Sequence, residues 1–535
     1  MLSYRKLAMR VLGHPLHTGR IDSPRPASQR AAAFILTAAM LTTLAAPAFA
    51  DIWHIENGDI TISAGESGNN VTQNNNTTYG DTNTIITNQN KDTASSHTVT
   101  IEAKDKDDKV EVTLKDVNID TSSRNKAAVS VTGEGDTNIK LDGDNALKSD
   151  IYRSGIYGSG SGSLTISGGE NDSLTAQGGS GANGISSSGS LTISGGTVTA
   201  NGDDGGRGIS SSGSVTISGG STVTANGGSG TISGGDGICS SGGVTISGGS
   251  TVTANGGNGG SLVGGDGIRS DGGVTISGGT VKAAGGDSKD GYGGDGIRSG
   301  GGVTISGNTV NAAGGNGGKV GGYGICSFDR VAISGGTVEA AGGNGSTGGG
   351  SGIYSSVIDL SGSLELTAKA GSPNGKALSQ KGSELVLDTI KDKLGPGAKV
   401  TATDADGKVI DQVSTPRPVE PEESSSSSDG GSAAPSAPAS PLPGLTVTDK
   451  DGQRISYTST QSGNTLTVCV GRLTASFRIS LAALRQLRAE GIETIAFQTV
   501  LCSTTLSVDE LLAMGGENAE AVLTHRFTDS SLTVG

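Results

Sequence analysis

One sequence unit is repeated through the middle of this 535-residue chain. Each copy holds a Gly-Ile pair, then Val/Leu-Thr-Ile-Ser-Gly-Gly, then Thr-Val-Thr-Ala-Asn-Gly-Gly, and successive Gly-Ile pairs are 24 to 30 residues apart. The isoleucines of these pairs are Ile156, Ile185, Ile209, Ile238, Ile268, Ile297, Ile325 and Ile353. Self-similarity at such a period indicates a stacked array whose units bury their apolar faces only against their neighbours. The repeat therefore predicts a solenoid with a long recognition surface rather than an enclosed catalytic pocket.

Short runs within each unit alternate apolar and polar residues at period two. In residues 215–218 (Val-Thr-Ile-Ser) the two apolar side chains share one face, and residues 222–225 (Thr-Val-Thr-Ala) repeat the scheme. The Gly-Ile run supplies a third strand, and Gly-Gly and Asn-Gly corners bend the chain between strands. With 93 glycines in the chain, helical repeats are excluded. We predict an all-β fold, a right-handed parallel β-helix with three short strands per coil of about 24–30 residues.

Changes in composition divide the chain into five segments. They are a secretory signal with an extended leader (1–50), an N-terminal cap or irregular first coil (51–97), the β-helix (98–413), a Pro/Ser-rich linker (414–444) and a small α+β domain (445–535). The signal is recognised by an apolar run that ends at Ala48-Phe49-Ala50, a small-residue cleavage site. In the last domain, leucines at helical spacing predict a helix over 481–487, and Ser507 is predicted to cap a second helix.

The predicted signal constrains where the protein is located, and the net charge constrains which partners it can bind. We expect the protein to be secreted, either extracellular or at the cell surface, without a membrane span in the mature chain. Because residues 1–50 carry six Lys/Arg and one Asp, their removal shifts the net charge from −14 to −19. Such an acidic chain is not expected to bind nucleic acid. Residues 445–535 are compatible with attachment to the cell envelope or with a structural end-piece.

The four cysteines do not form a metal-binding pattern. Cys239 and Cys326 occupy the same slot of the repeat, three coils apart, which at about 4.8 Å per coil separates them by roughly 14 Å and excludes a bridge. Cys469 and Cys502 remain as a candidate pair in the last domain. No Cys-x-x-Cys occurs, which argues against structural zinc.

A column of carboxylates is predicted at the residue that precedes each Gly-Ile pair. Asp236, Asp266 and Asp295 hold this slot in three successive units, about 4.8 Å apart, where like charges repel unless a cation lies between them. Arg269 and Arg298 directly follow the isoleucines. The column has two interpretations, a Ca²⁺ site completed by loop carbonyls or an Asp/Arg ion-pair ladder on a solvated face. The second is favoured, because repeat copying alone produces it.

Aromatic residues are so few, at 3% of the chain, that their positions carry information. Tyr157 and Tyr354 follow the Gly-Ile isoleucine in two units, whereas Tyr292 and Tyr323 lie in loops. An exposed tyrosine ring can stack on a sugar face, and it can equally cap a loop. These four tyrosines, with Arg269 and Arg298, are the candidate carbohydrate-binding residues. No catalytic residue is predicted.

Two further columns are interpreted as structural. Asn201, Asn226 and Asn255 recur at one corner and predict a ladder of stacked asparagines. Paired threonines on the Thr-Val-Thr-Ala strand suggest ice binding as an alternative. However, the row is interrupted at Lys282, and threonine is a preferred strand residue in any case.

The stretch from about Val99 to Val413 resembles a bacterial, mainly clostridial, carbohydrate-binding domain family whose β-helix is similar to that of pectate lyases. The resemblance rests on residues 112–131 (VTLKDVNIDTSSRNKAAVSV), 138–149 (NIKLDGDNALKS) and 152–157 (YRSGIY) and on the repeated GI…LTISGG lines. It implies binding of an extracellular, cellulose- or pectin-like polysaccharide, assisted by Ca²⁺ where a cation is needed, without established catalysis.

Three functions follow as hypotheses. The first is a secreted or cell-surface protein that binds polysaccharide and is not an enzyme. The second is a structural or adhesive surface solenoid that binds proteins or cells. The third is a Ca²⁺-dependent polysaccharide lyase, in which Arg269 or Arg298 would act as the base, as the likeness to pectate lyases suggests. An arginine base should be unpaired, whereas each of these lies three residues from an aspartate, which favours binding.

Overall fold

The computed structural model describes residues 51–416 and, within 445–534, all but 450–452, 456, 463, 471–473, 500–502, 515–518 and 526–529. The chain divides between Glu422 and Glu423 into two compact units. The first is a parallel β-solenoid and the second a small domain of strands and two helices, as predicted. The predicted signal (1–50) and most of the predicted linker lie outside the described residues.

Each regular coil contributes one strand to each of three stacked parallel columns. The Gly-Ile sheet stacks the strands that begin at the Gly-Ile pairs, in register, so that Ile209 lies between Ile185 and Ile238. Its strands are Ile60–Gly65, Val99–Ala103, Val129–Gly133, Ile156–Gly158, Ile185–Ser187, Ile209–Ser211, Ile238–Ser240, Ile268–Ser270, Ile297–Ser299, Ile325–Ile333, Ile353–Leu360 and Leu378–Gln380.

The Thr-Ile-Ser sheet follows in each coil and is also parallel. Its strands are Ile52–His54, Thr84–Thr87, Lys109–Lys115, Asp136–Asp142, Leu164–Ser167, Leu191–Ser194, Val215–Ser218, Val244–Ser247, Val274–Ser277 and Val303–Ile305. The long strands Ile325–Ile333 and Ile353–Leu360 run through both this sheet and the Gly-Ile sheet.

The Thr-Val sheet completes the coil as a 12-stranded sheet of the described residues. Eleven strands are parallel, and the last pairs antiparallel with its neighbour. They are Asn118–Asp120, Asp144–Lys148, Ser173–Ser180, Thr197–Asp203, Thr222–Asn226, Thr251–Asn255, Thr280–Ala284, Asn308–Ala313, Gly336–Ala341, Leu364–Lys369, Lys399–Thr403 and Val409–Ser414.

Both ends of the solenoid are covered by strands that run against the stack. At the N-terminal end, Gly68–Gln73 and Asn76–Asp81 add antiparallel strands to the first coil, beside a short 3-10 helix at Ile55–Asn57. At the other end, Ser383–Glu384 pairs antiparallel with the last Gly-Ile strand, and a 3-10 helix spans Leu387–Lys393. Covering these ends satisfies backbone groups that a parallel stack would otherwise expose.

The core consists of apolar columns that run the length of the solenoid. The isoleucines of the Gly-Ile pairs, and Ile217 and Val223 with their equivalents in neighbouring coils, are exposed by 1% or less. A fully buried side chain of this size contributes about 1.5–3 kcal/mol by leaving water. Since each column repeats one residue type at one position, the coils stack without changing register.

The predicted asparagine ladder is confirmed. The Nδ2 group of Asn226 donates to Oδ1 of Asn201, and that of Asn255 donates to Oδ1 of Asn226, each at 2.8 Å. These bonds connect coils side chain to side chain at the end of the Thr-Val strands. The ladder therefore has a structural role.

The described residues of the second unit form two four-stranded sheets and two helices. One sheet holds Leu445–Thr448, Ala475–Ser480, Glu520–His525 and Ser530–Val534, and the other holds Thr458–Ser462, Thr465–Cys469, Thr494–Gln498 and Ser503–Ser507. The helices span Leu481–Ala489 and Val508–Met514. Both begin after a serine: Oγ of Ser480 accepts from the amide of Ala483 at 3.2 Å, and Oγ of Ser507 accepts from that of Glu510 at 3.4 Å, which confirms the predicted cap.

Cys239, Cys326 and Cys469 are free thiols. The register places Cys239 and Cys326 in one column with two residues between them, as predicted. The predicted Cys469–Cys502 pair is therefore wrong for this structure, in which Cys469 has a free thiol; Cys502 itself lies outside the described residues. Among the residues described, no helix has the length and apolar character that crossing a membrane would require.

Candidate binding groove

Five consecutive coils extend a glycine-rich loop between the Thr-Val strand and the next Gly-Ile pair. These loops, residues 227–236, 256–266, 285–295, 314–323 and 342–351, stack into what we call the glycine lobe. Each loop has an outgoing and a return segment. Return segments bond to outgoing segments of their own coil, as Gly265 donates to the carbonyl of Gly257 at 2.8 Å, and outgoing segments bond to the previous coil, as Gly257 donates to Gly235 at 2.8 Å.

The close approach of these segments requires glycine. A Cβ placed on Gly265 would lie 1.9 Å from the carbonyl oxygen of Gly235, and one on Gly294 would lie 1.9 Å from that of Gly265. Real Cβ atoms do not approach an oxygen so closely, so any larger residue would push the segments apart. Glycine is thus repeated in this lobe for packing, in addition to its use in turns.

A groove of about 690 Å³ follows the line where the return segments meet the Gly-Ile strands. Seven of the nine candidate site residues line it: Asp236, Asp266, Asp295, Arg269, Arg298, Tyr292 and Tyr323. Tyr354 is outside the lining but stacks on Tyr323, with ring centroids 4.9 Å apart and planes at 21°. Tyr157 lies outside the groove, in a strand that stacks between Val129–Gly133 and Ile185–Ser187.

The three aspartates form a ladder that connects the coils through the backbone. Oδ1 of Asp236 accepts from the amide of Asp266 at 2.9 Å, and Oδ1 of Asp266 accepts from the amide of Asp295 at 2.7 Å. Oδ1 of Asp295 continues the series by accepting from the amide of Tyr323 at 2.7 Å. The aspartates are only 7%, 5% and 4% exposed, so these bonds satisfy backbone donors that would otherwise be buried without partners.

Three arginines face the second oxygens of the ladder. Nε of Arg207 donates to Oδ2 of Asp236 at 3.2 Å, and Nη1 of Arg298 donates to Oδ2 of Asp295 at 3.1 Å. Arg269 is farther from its partner, with 3.9 Å between Nη1 and Oδ2 of Asp266. This arrangement is the ion-pair ladder that the sequence favoured, although its carboxylates are buried rather than solvated.

Burial shifts the acid–base properties of the ladder. Burial, reinforced by the charges of Asp295 and Asp236, raises the pKa of Asp266 well above its usual range. Burial also raises the pKa of Asp295, although the amide of Tyr323 and the guanidinium of Arg298 oppose the rise. The middle carboxyl therefore holds a proton more readily than an ordinary aspartate.

The geometry does not fit calcium at the aspartate column. One oxygen of each carboxylate accepts a backbone amide and the other faces an arginine, which leaves no cluster of free oxygens for a cation that prefers six to eight of them. No group of three or more His, Cys, Asp or Glu in the described part of the chain is placed to hold a metal ion. Calcium stays a prediction that these contacts do not support.

The other side of the groove is apolar and aromatic. Val263, Tyr292 and Val320 lie in register on three successive return segments, three residues before the slot of the ladder. Tyr292 is 55% exposed and Val263 is 38% exposed. Along the segments that begin at Val263 and Tyr292, the groove therefore changes from apolar side chains, through backbone glycine, to aspartate and arginine.

Two thiols continue the arginine column. Cys239 pairs in register with Arg269, and Cys326 pairs with Arg298. Burial raises the pKa of Cys239 to about 11 and that of Cys326 to about 12. Both remain protonated at neutral pH, and since the thiolate is the nucleophile, neither is suited to nucleophilic catalysis.

Apart from glycines, five groove residues were missed by sequence reasoning: Asn183, Arg207, Ser233, Val263 and Val320. Asn183 and Arg207 hold the slot of the aspartate ladder in earlier coils, and Oδ1 of Asn183 accepts from the amide of Arg207 at 2.8 Å. Their slot was visible in the sequence, but only its acidic members were selected. Val263 and Val320 carried a signal too, as apolar residues recurring at one position of glycine-rich loops.

Comparisons of the chain with protein families, with characterised proteins and with solved structures find no match. The resemblance to the clostridial carbohydrate-binding family therefore stays a prediction. What the groove does has to be argued from its own residues.

Proposed function

We propose that this protein is a secreted or cell-surface, non-catalytic carbohydrate-binding solenoid that holds an extracellular polysaccharide in the groove. One observation carries the proposal: a single open groove presents an apolar, aromatic side and a hydrogen-bonding side, both repeated at the spacing of the coils. Sites for small organic ligands commonly combine apolar contact with a few placed polar groups.

The two sides match the two surfaces of a sugar ring. A pyranose presents apolar C–H faces, which suit Val263 and the exposed ring of Tyr292, and a rim of hydroxyls, which suits the guanidinium donors of Arg269. Arginine and aspartate alternate here with nearly balanced charge. A ligand rich in hydroxyls can bond to such groups, and the carboxylates of an acidic sugar can pair with the arginines.

The repetition of the groove favours a polymer over a single sugar. The ladder slot runs through six successive coils, Asn183, Arg207, Asp236, Asp266, Asp295 and Tyr323. Five steps of about 4.8 Å give a length of roughly 24 Å along the solenoid. An extended polysaccharide that repeats at a similar spacing can make the same contacts in each coil, so the proposed ligand is a linear chain of cellulose- or pectin-like type.

The test is calorimetric titration of residues 51–535 with cello-oligosaccharides and oligogalacturonides of increasing length. We expect affinity to rise with each added sugar and to level off when the chain fills the groove, at about five units. Titrations with calcium and with chelator should agree, because the aspartates are already paired. A rise in affinity that depends on calcium would instead support the predicted cation site.

Two variants locate the binding. Tyr292→Ala should weaken affinity about tenfold or more, as expected for a central aromatic contact. Tyr79→Ala is the matched control, since Tyr79 is 77% exposed on the N-terminal strands, away from the groove lining. Equal loss in both variants would contradict binding in the groove.

The remaining outcomes identify the other hypotheses. No binding to any glycan would overturn the proposal and leave the adhesive solenoid, tested by binding to cells or surface proteins. Formation of unsaturated sugar products would identify a lyase. Attachment to the cell envelope through residues 445–535 is part of the proposal and is tested by comparing the cell retention of chains with and without that segment.

A further inference from the structure

The three groove arginines differ in their hydrogen bonds. Arg207 donates from Nε to Asp236 and from Nη1 to Oγ of Ser210 at 3.4 Å. Arg298 donates to Asp295, and its guanidinium also lies over the ring of Phe328, 5.3 Å from the centroid.

Arg269 makes no side-chain hydrogen bond to any residue that the structure describes. Its ion pair with Asp266, at 3.9 Å between Nη1 and Oδ2, is beyond hydrogen-bonding distance. Its side chain is nevertheless 43% exposed, as much as that of Arg207 and more than the 37% of Arg298. Two of the three guanidinium groups are therefore held by the protein, and the central one keeps its five donors.

We propose that Arg269 is the specificity-determining residue of the groove and binds a pair of adjacent oxygen atoms on the ligand, while Arg207 and Arg298 maintain the aspartate ladder. This inference rests on the proposed function and goes beyond it by assigning different roles to three similar residues. The position of Arg269 supports it, because it lies in register between Cys239 and Arg298, near the middle of the groove.

The chemistry of guanidinium defines what Arg269 accepts. Its planar fork donates two parallel hydrogen bonds to two oxygens held side by side, and lysine cannot reproduce that geometry. On a sugar, two neighbouring hydroxyls or a carboxylate supply such a pair. Asp266 lies beside Arg269, and because burial raises the pKa of Asp266 well above its usual range, this carboxyl repels an acidic ligand less than an ordinary aspartate would.

The binding test compares Arg269→Gln and Arg269→Lys with the native protein, using the oligosaccharide that binds best. Arg269→Gln should lose at least about tenfold in affinity with an unchanged melting temperature, because no hydrogen bond within the protein is lost. Arg269→Lys should bind more tightly than Arg269→Gln but regain less than half of the lost binding free energy. Lysine restores the positive charge but not the planar pair of donors. Arg153→Gln is the matched control, as Arg153 is exposed, lies outside the groove and should leave affinity unchanged.

Comparison of neutral cello-oligosaccharides with oligogalacturonides distinguishes the two oxygen pairs. If Arg269→Gln loses affinity only for the oligogalacturonides, Arg269 binds the sugar carboxylate. If it also loses affinity for the neutral cello-oligosaccharides, Arg269 binds a pair of hydroxyls. Equal affinity of Arg269→Gln and native protein for both series overturns the proposal. So does full recovery by lysine, which would show that charge alone is needed.

A second measurement does not depend on glycan binding. Phenylglyoxal modifies unbonded guanidinium groups, so peptide mapping should find Arg269 modified several-fold faster than Arg207 and Arg298. Slower or equal modification of Arg269 would overturn the inference even if glycans bind. If Arg269 reacts fastest but no oligosaccharide binds or protects it, the inference about a free guanidinium stands and the proposed function fails.

Discussion

The backbone amide of Asp295 donates a hydrogen bond to Oδ1 of Asp266 in the preceding coil, at 2.7 Å. The carboxyl of Asp266 therefore replaces, for the next coil, an acceptor that the parallel strands do not supply at this corner. Asp266 also lines the groove. Stability of the stack and the chemistry of the site thus depend on one side chain.

Replacement of Asp266 should separate its acceptor role from its charge. Asp266→Ala leaves the buried amide of Asp295 without a partner and should lower the free energy of unfolding by about 1–3 kcal/mol. Asp266→Asn keeps a carbonyl oxygen at that position and removes a buried charge, so its stability should equal or exceed that of the native protein. Chemical denaturation of both variants is the measurement, and equal losses in the two would show that the charge, not the acceptor, matters.

The aspartate ladder should also make the solenoid more stable at acidic pH than at neutral pH. Folding raises the pKa values of Asp266 and Asp295. At pH values between the unfolded pKa, about 3.9, and the folded pKa values, the folded chain therefore binds more protons than the unfolded chain. Their contribution to stability therefore rises as pH falls through the folded pKa values, and it is constant below about 3.9. Melting temperatures of the native protein and of the double variant Asp266→Asn/Asp295→Asn, recorded against pH, should diverge towards neutral pH in favour of the variant. Parallel curves would contradict this.

A glycine of the lobe should be less replaceable than an ordinary loop glycine. Gly265→Ala places a Cβ 1.9 Å from the carbonyl of Gly235 and should lower the free energy of unfolding by about 1–3 kcal/mol or more. Gly302→Ala is the control, because its Cβ would meet nothing closer than 3.4 Å and its φ is ordinary. Gly302→Ala should stay within about 1 kcal/mol of the native protein, on either side. Denaturation curves for the two variants decide the comparison.

The second unit should lose stability in mild acid. His525 is fully buried, its ring lies 4.9 Å from that of Phe497, and its Nε2 is 2.9 Å from Oγ1 of Thr504. Burial lowers the pKa of His525, so between that value and the unfolded pKa of about 6.5 the unfolded chain binds the extra proton. Stability contributed by the neutral ring is complete above about pH 6.5 and falls as pH decreases towards the folded pKa.

Hydrogen exchange in the strand Glu520–His525, measured in the whole chain at about pH 7.5 and 5.5, checks this expectation after correction for intrinsic rates. Protection should decrease at the lower pH in the native protein and change less in His525→Gln. Unchanged protection in the native protein would show that the histidine does not titrate in this range.

The coil was predictable because its signals are local and repeated. Alternation at period two fixes which side chains are buried, and repetition of Ile217 and Val223 at one position in every unit fixes register. The parallel solenoid, its three columns and the ladder that starts at Asn201 follow from that pattern. The N-terminal segment was less regular in sequence, and the structure joins it to the stack through Ile52–His54 and Ile60–Gly65.

The groove was only half predictable. Asp266 and its equivalents were found because they are charged residues at a repeated slot, and the arginines because they are close in sequence. The opposite side, represented by Val263, depends on how the glycine loops fold back on the coil, and period-two alternation says nothing about such loops. Arg269 and Arg298 were indistinguishable in sequence, because a difference between 3.9 Å and 3.1 Å arises from packing.

The unit between Ile185 and Ile209 has 24 residues and lacks the long loop that later coils add to the lobe. Each coil bonds chiefly to its two neighbours, so gain or loss of one long-loop repeat in the gene would lengthen or shorten the groove by a single step while leaving both ends covered. Recombination between near-identical repeats can therefore change the length of the groove without requiring any new type of contact between coils. The number of long-loop repeats in the gene therefore sets the length of the groove.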